Sequence, residues 1–216
     1  MSERILAVDT ALGACSVAIL DGGRTLSHRF EIMERGHAEA LAPMVEAAMD
    51  EAELPFTALE RLAVTTGPGT FTGQRVGLAF MRGLRVALHR PLTGVTTLAA
   101  MARQAMDETA LGAAAALHDA RRGEVYLEIA GADASGPVIL PFEDAVALIA
   151  QRPGEIALAG TAAPAAQARL QNASLSTVRQ PDALWVARLA LAMPAGDAAP
   201  KPLYLRAPDA RLPAQT

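Results

Sequence analysis

The segment spanning residues 63–84, AVTTGPGTFTGQRVGLAFMRGL, restricts the fold more than any other part of the chain. Its opening residues, AVTT, predict the end of a β-strand, which Gly67-Pro68-Gly69 then breaks. Thr70 and Thr72 are both suited to cap a following helix. Apolar residues recur every four positions in that helix, at Val76, Phe80, Leu84 and Leu88. The segment therefore predicts a strand, a tight turn and a helix N-terminus.

Three glycines, Gly73, Gly77 and Gly83, lie inside this predicted helix. Each costs about 1 kcal/mol relative to alanine in a helix interior, so we expect something to pack very close to its backbone. A strand, a glycine turn and a helix N-terminus also present backbone N–H groups that can hold an anion. A phosphate-binding turn and a small-residue packing face both remain open interpretations.

Composition limits the class of protein. Of 216 residues, 51% are hydrophobic and 19% charged, which is typical of a globular chain. The net charge is −4 with no basic surplus in either half, which argues against this chain alone gripping nucleic acid. Cys15 is the only cysteine, so an intrachain disulfide and a Cys-rich zinc site are excluded. Without a signal-like N-terminus or an apolar run of about 20 residues, we expect a soluble cytoplasmic protein.

The order of predicted elements indicates an α/β protein with mixed sheets and helices packed on them. The first half has hairpin strands followed by alternating helices and strands, at residues 4–9, 15–20, 25–32, 36–53, 63–66, 70–88, 91–95 and 97–109. The second half opens on another hairpin, with elements at residues 113–118, 124–130, 142–151, 156–160, 163–170, 174–178 and 183–193. Asp119 before its turn repeats the position of Asp9, a hint of internal duplication. From residue 194 a proline-rich tail is expected to run extended over the surface and to fray at its end.

The first helix carries a broad apolar surface that has two interpretations. Its small and apolar residues recur at helical spacing, at Leu41, Met44, Val45, Ala48, Met49 and Ala52. Such a surface is typical of a buried core face and also of a face that binds a partner helix, and the sequence leaves both open. Pro43 is expected to kink the helix unless it falls in the first turn.

Groups able to perform catalysis are few. The four histidines are scattered, and neither a G-x-S-x-G elbow nor a G-x-x-x-x-G-K-[ST] loop occurs. Cys15 lies in a predicted strand interior, which favours a core residue over a nucleophile. Asp9 ends the first strand, where it can serve a metal or water or simply form turn structure. The pattern argues against an enzyme that works alone.

Five segments in order resemble the TsaB (YeaZ) family: ILAVDTALGACSVAIL, RGHAEALAPMVEAAMDEA, TTGPGTFTGQRVGLAFMRGL, HDARRGEVY and PLYLRAPDA. The resemblance covers roughly residues 4–210, and the GPG[ST]FTG-x-R-x-G-L pattern is specific. It implies an ASKHA fold, shared by actin-like ATPases, sugar kinases and Hsp70. Two lobes, residues 1–105 and 106–216, are then each expected to hold a mixed sheet that opens with a strand hairpin.

The same resemblance implies a role in making N6-threonylcarbamoyladenosine in tRNA. TsaB-like proteins are non-catalytic scaffolds that pair with the catalytic paralogue TsaD and are joined by the ATPase TsaE, while TsaC supplies threonylcarbamoyl-AMP. We therefore expect no cofactor on this chain alone, ATP or ADP only at a complex junction, and tRNA contact through the complex. The resemblance implies that pairing with TsaD uses the helices of the N-terminal lobe, and that members of the family also form homodimers through those helices.

The resemblance also assigns positions to a lost metal site. TsaD-like proteins carry H-x-x-x-H after a strand resembling PLTGV, and the matching positions here are Thr97 and Met101. Threonine is a poor ligand and methionine a soft one, so no hard-ligand metal site is expected. Ala11 replaces the serine usual in the family. The turns that would face phosphate are expected to be vestigial, at Asp9, Thr10, Gly67, Gly69 and Thr70.

Two hypotheses follow from these residues. The first is a structural and activating subunit whose partner interface joins the first helix to the helix after the glycine turn. That interface is predicted at His37, Leu41, Met44, Val45, Ala48, Gly73, Gln74 and Gly77. The second is an independent ATP-dependent transferase or glycoprotease-like enzyme of the same fold. The missing metal pair and the missing nucleophile with a partnered base weigh against the second hypothesis.

Overall fold

Two five-stranded mixed sheets form the framework of the protein, and the computed structural model describes residues 3–196 and 198–206. The strands of the first sheet are β1 (Arg4–Asp9), β2 (Ala14–Asp21), β3 (Arg24–Ile32), β4 (Arg61–Thr65) and β5 (Leu92–Val95). Those of the second are β6 (Ala114–Arg121), β7 (Glu124–Ala130), β8 (Ser135–Pro141), β9 (Ile156–Ala159) and β10 (Ala173–Leu175). The helices are α1 (His37–Glu51), α2 (Phe71–Leu88), α3 (Thr97–Thr109), α4 (Phe142–Ala150), α5 (Ala163–Gln167) and α6 (Ala183–Ala192).

The first strand, β1, is apolar along its length because both faces of its sheet are covered. It pairs antiparallel with β2 and parallel with β4, so it is central in the order β3-β2-β1-β4-β5. Leu6 and Val8 point into a core shared with α1 and α2, while Ile5 and Ala7 point into a core shared with α6. A strand buried on both faces needs a continuous hydrophobic run, which ILAV at residues 5–8 supplies.

The second sheet repeats the topology of the first. Its order β8-β7-β6-β9-β10 places two antiparallel hairpin strands and then two parallel strands around β6, as around β1. The expectation of two mixed sheets that each open with a hairpin is confirmed. Strand β8 was not predicted, because Gly136, Pro137 and Pro141 hide its pattern among residues typical of turns. Helix α5 is also shorter than predicted and ends at Gln167.

The two halves of the chain exchange helices. Helix α3 belongs to the first half of the sequence but packs on β6, β7 and β9. Helix α6 lies near the end of the chain but packs on β1, β2, β4 and β5. The predicted boundary between the lobes, at residues 105 and 106, falls inside α3. The helix packs on the second sheet, because a helix moves as one unit and its packing does not follow chain order.

Residues 198–206 form a segment that we call the C-terminal strap. The backbone N–H of Leu203 donates to the Thr66 carbonyl at 2.7 Å, and Pro200 lies against Gly94 at the edge strand β5. Arg206 donates to the Ala120 carbonyl at 2.9 Å in the second lobe. The strap thus covers the β5 edge and joins the lobes, in agreement with the expected extended tail. The expected fraying concerns residues 207–216, which lie outside the described residues.

Helix α1 begins at His37, one residue after Gly36, which adopts the left-handed φ of 91°. The helix continues through Pro43 to Glu51. Among the described helices, none combines the length and apolar character needed to cross a membrane.

Arg61 connects the start of β4 to the end of α6. Its Nη1 donates to the Ala190 carbonyl at 2.5 Å and to the Met193 carbonyl at 2.8 Å, and its Nε donates to Glu3 at 3.0 Å. The side chain is only 8% exposed, so these acceptors depend on it rather than on water. The last carbonyls of a helix lack intrahelical partners, and a buried cation is a strong donor to them.

We predict that Arg61→Met lowers the free energy of unfolding by about 1–3 kcal/mol, because it removes a charged donor from the Ala190 and Met193 carbonyls and leaves Ala190 with only the Met193 N–H. Urea unfolding followed by circular dichroism measures the change. Arg24→Met at the exposed start of β3 is the matched control and should change the same quantity by less than about 0.5 kcal/mol. Equal effects of the two substitutions would contradict this role of Arg61.

Candidate functional site

The glycine turn after β4 connects one strand to the N-termini of two helices. The Gly67 carbonyl accepts from the Thr97 N–H at 2.8 Å, at the first residue of α3. Thr70 caps α2, with its Oγ1 accepting from the Gly73 N–H at 3.1 Å, so Thr70 rather than Thr72 fills the predicted capping role. Gly67 has a φ of 109°, and a Cβ there would lie 2.7 Å from the Gln74 side chain. Only glycine satisfies both conditions.

Two of the three α2 glycines allow the turn after β1 to touch the helix backbone. A Cβ on Gly73 would lie 2.2 Å from the Thr10 carbonyl oxygen, and one on Gly77 would lie 2.7 Å from Thr10 Oγ1. The Thr10 hydroxyl donates to the Gly73 carbonyl at 2.7 Å and accepts from the Gly77 N–H at 3.0 Å. The hydroxyl thus bonds both groups that a regular helix would pair with each other. The predicted close packing is confirmed at these two glycines, and the neighbour is the chain itself.

The turns expected to face phosphate are brought together, and they use their donors on one another. The Thr70 N–H donates to the Ala11 carbonyl at 2.8 Å, while the Gly73 N–H is taken by the cap. A Cβ on Gly69 would lie 2.3 Å from that same carbonyl. An anion needs free N–H groups and space at a helix N-terminus. At α2, the chain's own first turn fills the space beside Gly69 and Gly73 and takes the Thr70 N–H, while the Thr70 cap takes the Gly73 N–H.

Asp9 is the one ionisable group at the centre of this junction. It is fully buried, and its Oδ1 accepts from Thr65 Oγ1 at 2.6 Å and from the Ala11 N–H at 3.3 Å. Its Oδ2 has no hydrogen-bond partner among the described residues. Burial raises the pKa of this carboxyl to about 7, and the two hydrogen bonds only partly offset the rise. Near neutral pH the group therefore exists in both protonation states.

Other residues with candidate chemistry are part of the core. Cys15 is buried in β2, and burial raises the pKa of its thiol to about 12, so it is a neutral core residue at physiological pH. Thr97 and Met101 are fully buried on α3, where Met101 packs with Ala11 and Leu12 between the lobes. The part of the chain that the structure describes contains no group of three or more His, Cys, Asp or Glu side chains placed to hold a metal.

The residues named for the partner interface are placed inward. Only Met44 is partly exposed, whereas the other seven are buried within this chain: His37, Leu41, Val45, Ala48, Gly73, Gln74 and Gly77. Their apolar and small side chains pack on the first sheet and on the β1–β2 turn, and the partner interface at these residues stays a prediction. His37 has a local role, with its Nε2 bonded to the Leu12 carbonyl at 3.0 Å.

The outer faces of the same two helices are exposed and rich in small residues. On α2 the exposed positions Thr72, Ala79, Gly83 and Ala87 recur at intervals of seven and four, and a Cβ on Gly83 would have nothing within 4 Å. On α1, Ala38, Ala42 and Glu46 recur at intervals of four. We call the exposed positions of both helices together the outer helix face. A cavity of about 440 Å³ lies between the N-terminal ends of the two helices.

The sequence interpretation missed a second exposed feature, an aromatic and arginine cluster on the strap side of α2. Phe71 and Tyr204 stack with ring centroids 5.8 Å apart, and the Arg75 guanidinium lies 3.5 Å from the Phe71 centroid. Arg75 Nε donates to the Tyr204 hydroxyl at 2.9 Å. The signal available in the sequence was the absence of acidic residues around α2, which the overall net charge concealed.

The chain is similar to proteins of one family along most of its length. A family model described as TsaD, tRNA N6-adenosine threonylcarbamoyltransferase, matches residues 30–181. YeaZ from Pseudomonas aeruginosa is 34% identical with a TM-score of 0.78, and the alignment covers 94% of this chain and all of that one. The chain belongs to the TsaB (YeaZ) family. The recognition made from its motifs is confirmed.

Curated relatives agree with this family. The tRNA threonylcarbamoyladenosine biosynthesis protein TsaB of Escherichia coli K12 is 41% identical over 123 residues, which is 57% of this chain and 53% of the relative. That of Haemophilus influenzae is 36% identical over 122 residues, 56% of this chain and 51% of the relative. The chain spans about half the length of the curated relatives it matches. Component A of (R)-2-hydroxyglutaryl-CoA dehydratase from Acidaminococcus fermentans, at 10% identity and a TM-score of 0.55, shares the fold alone.

The two kinds of glycine on α2 lead to opposite predictions. Gly83→Ala should raise the free energy of unfolding by about 1 kcal/mol, because the site is open and alanine is the better helix former. Gly77→Ala should lower it by about 1–3 kcal/mol, because the new methyl group meets the Thr10 hydroxyl. Urea unfolding measures both. In a Thr10→Ala background the cost of Gly77→Ala should shrink, and an unchanged cost would show that Thr10 is not the obstacle.

Because Asp9 is buried and its pKa is raised, we predict that the free energy of unfolding decreases as pH rises. The unfolded carboxyl ionises near its usual pKa of 3.8, whereas the folded one holds its proton up to a pKa of about 7. The unfolded state therefore binds fewer protons between these values, so wild-type stability falls as pH rises through that interval. Asp9→Asn removes this term, and its stability relative to wild type should increase from pH 4 to 7 and level off above it. Urea unfolding of both proteins across this range tests the prediction, which a constant difference would contradict.

Proposed function

We propose that this chain is a non-catalytic scaffold and activating subunit of the machinery that makes threonylcarbamoyladenosine in tRNA. Membership of the TsaB (YeaZ) family and the match to the TsaD family model support the proposal. Its curated relatives are named as biosynthesis proteins for this modification. Because the alignments span about half of those relatives, the role of the whole protein is part of the proposal.

One observation carries the non-catalytic assignment: the chain fills its own candidate phosphate site. The carbonyl of Ala11 and the hydroxyl of Thr10 take up donors and space at the glycine face of α2. The resemblance matches Thr97 and Met101 to the metal-binding histidines of TsaD-like proteins; both residues are buried, and Met101 packs in the core between the lobes. Chemistry at this junction would require the two turns to separate.

The partner that we propose is the catalytic paralogue TsaD, bound through the outer helix face. Small side chains at Ala79, Gly83 and Ala87 would let two helices approach to an interaxial distance of about 8–10 Å. A second copy of this chain would use the same face, so self-association and TsaD binding compete. TsaE with ATP or ADP would join at the junction, TsaC would act upstream, and tRNA would engage the complex.

The alternative of an independent transferase or glycoprotease-like enzyme has less support in this chain. A Pseudomonas aeruginosa structure at 33% identity is described as similar to peptidase YeaZ, which is a statement about that protein. Here the single thiol has a pKa raised to about 12 and lies in the core. A nucleophile needs a lowered pKa or a partnered base, together with access to its substrate.

The outer helix face predicts which substitutions break the complex. Gly83→Gln and Ala79→Gln should weaken co-purification with TsaD by at least about tenfold, because a long side chain prevents close helix approach. Both substitutions introduce an uncharged side chain that favours a helix. Gly83→Gln should stabilise the monomer by a few tenths of a kcal/mol or more. Loss of binding would then not reflect unfolding. The measurement is the dissociation constant for purified TsaD, determined by biolayer interferometry.

Ala147→Gln, at an exposed position of α4 on the second lobe, is the matched control and should bind TsaD like wild type. Native mass spectrometry of each variant alone reports whether the same face also supports a homodimer. Wild-type affinity in both outer-face variants would refute the proposed placement.

A further inference from the structure

Charge is distributed unevenly along this mildly acidic chain. Residues 61–106 contain six arginines and not one aspartate or glutamate, although the whole chain has a net charge of −4. Residues 198–206 add Lys201 and Arg206 without an acid. This acid-free sequence includes all of α2, and the strap lies beside it. Arg61 is paired with Glu3 and Arg206 with Glu124, so the basic character of the surface along α2 rests on Arg75, Arg82 and Lys201.

The basic side chains line up on the strap side of α2. Phe71, Arg75, Arg82 and His89 recur at intervals of four and seven, which places them on one side of the helix. The strap runs antiparallel along this side, since the Pro200 carbonyl accepts from Arg82 Nη2 at 2.5 Å and the Tyr204 hydroxyl accepts from Arg75 Nε. Both acceptors are neutral, so these contacts hold the two guanidinium groups in place without cancelling their charge.

Two exposed aromatic rings lie at one end of this surface. Phe71 is 57% and Tyr204 44% exposed. The Arg75 guanidinium is 3.5 Å from the Phe71 centroid and 5.9 Å from the Tyr204 centroid, while the two rings are 5.8 Å apart. Arg75 therefore covers one face of the Phe71 ring, and the exposure of this side chain means that much of the remaining ring surface is open to solvent. An open aromatic face beside fixed cations is the arrangement on which unpaired bases stack.

A cavity lies at the other end, after the last turn of α2. Its volume is about 520 Å³, and its walls include His89, Arg90 and Pro91 together with residues 195 and 196. Arg90 Nη2 donates to the neutral Thr57 carbonyl at 3.3 Å. From Phe71 to this cavity the surface follows the 18 residues of α2, about 27 Å at 1.5 Å per residue. That length suits several nucleotides of an extended strand.

We propose that this surface, which we call the basic track, binds an unpaired RNA segment directly. Its defining residues are Phe71, Arg75, Arg82, Tyr204 and Lys201. A base stacks on the open face of Phe71, and the phosphates that follow lie against Arg75, Arg82 and Lys201. The inference rests on the proposed function, because it gives the RNA substrate of the complex a contact on the scaffold subunit. An acidic protein would also be attracted to the cations, but it would leave the exposed aromatic pair unexplained.

The basic track and the outer helix face are neighbouring sides of the exposed half of α2. Ala79 follows Arg75 by four residues, whereas Gly83 lies about 100° around the helix axis from Arg82. The two surfaces use different side chains. RNA binding and partner binding can then be lost separately by substitution.

The experiment is fluorescence anisotropy with the purified full chain and a fluorescein-labelled RNA hairpin whose loop has about seven unpaired nucleotides. Wild type should bind, and its affinity should fall steeply between about 50 and 200 mM salt. Lys201→Glu should lower the slope of log affinity against log salt by about 1. Phe71→Ala should weaken binding by about five- to a hundredfold at every salt concentration, because it removes the stacking surface.

Two matched controls should bind RNA like wild type. Arg24→Glu makes the same change of charge as Lys201→Glu at the exposed start of β3, and Phe30→Ala removes another exposed phenyl ring. The inference is overturned if wild type shows no salt-dependent binding at about 50 mM salt. Equal weakening by the controls also overturns it. So does displacement of the RNA by poly-glutamate at a matched charge concentration, which would indicate an acidic protein partner instead.

Co-purification with TsaD separates this inference from the proposed function. Lys201→Glu and Phe71→Ala should retain wild-type affinity for TsaD, whereas Gly83→Gln should retain RNA binding. Failure of RNA binding with TsaD affinity intact refutes the basic track alone. Failure of TsaD binding by the wild-type chain with RNA binding intact refutes the scaffold assignment alone.

Discussion

The contact between Thr10 and the glycine face of α2 is the constraint on which the rest of the structure depends. It places a backbone turn within 3 Å of a helix, which requires glycine at two successive turns of that helix. Glycine lowers the helix propensity at these positions, and the two hydrogen bonds of the Thr10 hydroxyl offset that loss. Buried backbone groups without a hydrogen-bond partner would destabilise the fold more than the glycines do. The same contact fixes the distance between β1 and α2, and with it the position of every residue at the junction. A turn held this tightly cannot also open to receive a phosphate without losing those bonds.

Exchange of helices between the lobes makes this junction rigid. Because α3 packs on the second sheet and α6 on the first, the chain crosses between the lobes several times. A shared core of mostly small side chains, including Ala11 and Ala116, fills the space between them together with Met101. The C-terminal strap adds hydrogen bonds to both lobes, at Thr66 and at Ala120. The two lobes are therefore held together by side-chain packing and by hydrogen bonds from separate parts of the chain.

The topology was predictable because its signals are local and periodic. The hairpin strands, the Thr70 cap and the glycine turn each follow from a few adjacent residues, and the family motifs give their order. The buried or exposed state of each helix face was harder to predict. On α1, Leu41 and Val45 form the apolar stripe that any helix needs for its own core, and sequence alone does not distinguish that stripe from a partner surface. The packing of the fold determines which helix face is buried, since a sheet already covers one side of each helix.

The glycines of α2 show why the direction of a side chain determines its function. Gly73 and Gly77 face the β1–β2 turn and serve the chain itself, while Gly83 lies ten and six residues later on an open side. All three look alike in the sequence. The exposed half of the helix is divided again, with small neutral residues on one edge and arginines beside an aromatic ring on the other. A single helix thus has three surfaces with different chemistry, one for the fold, one suited to close contact with another helix and one suited to a polyanion. Because the three share one rigid backbone, a partner held on one surface has a fixed orientation relative to a ligand held on another.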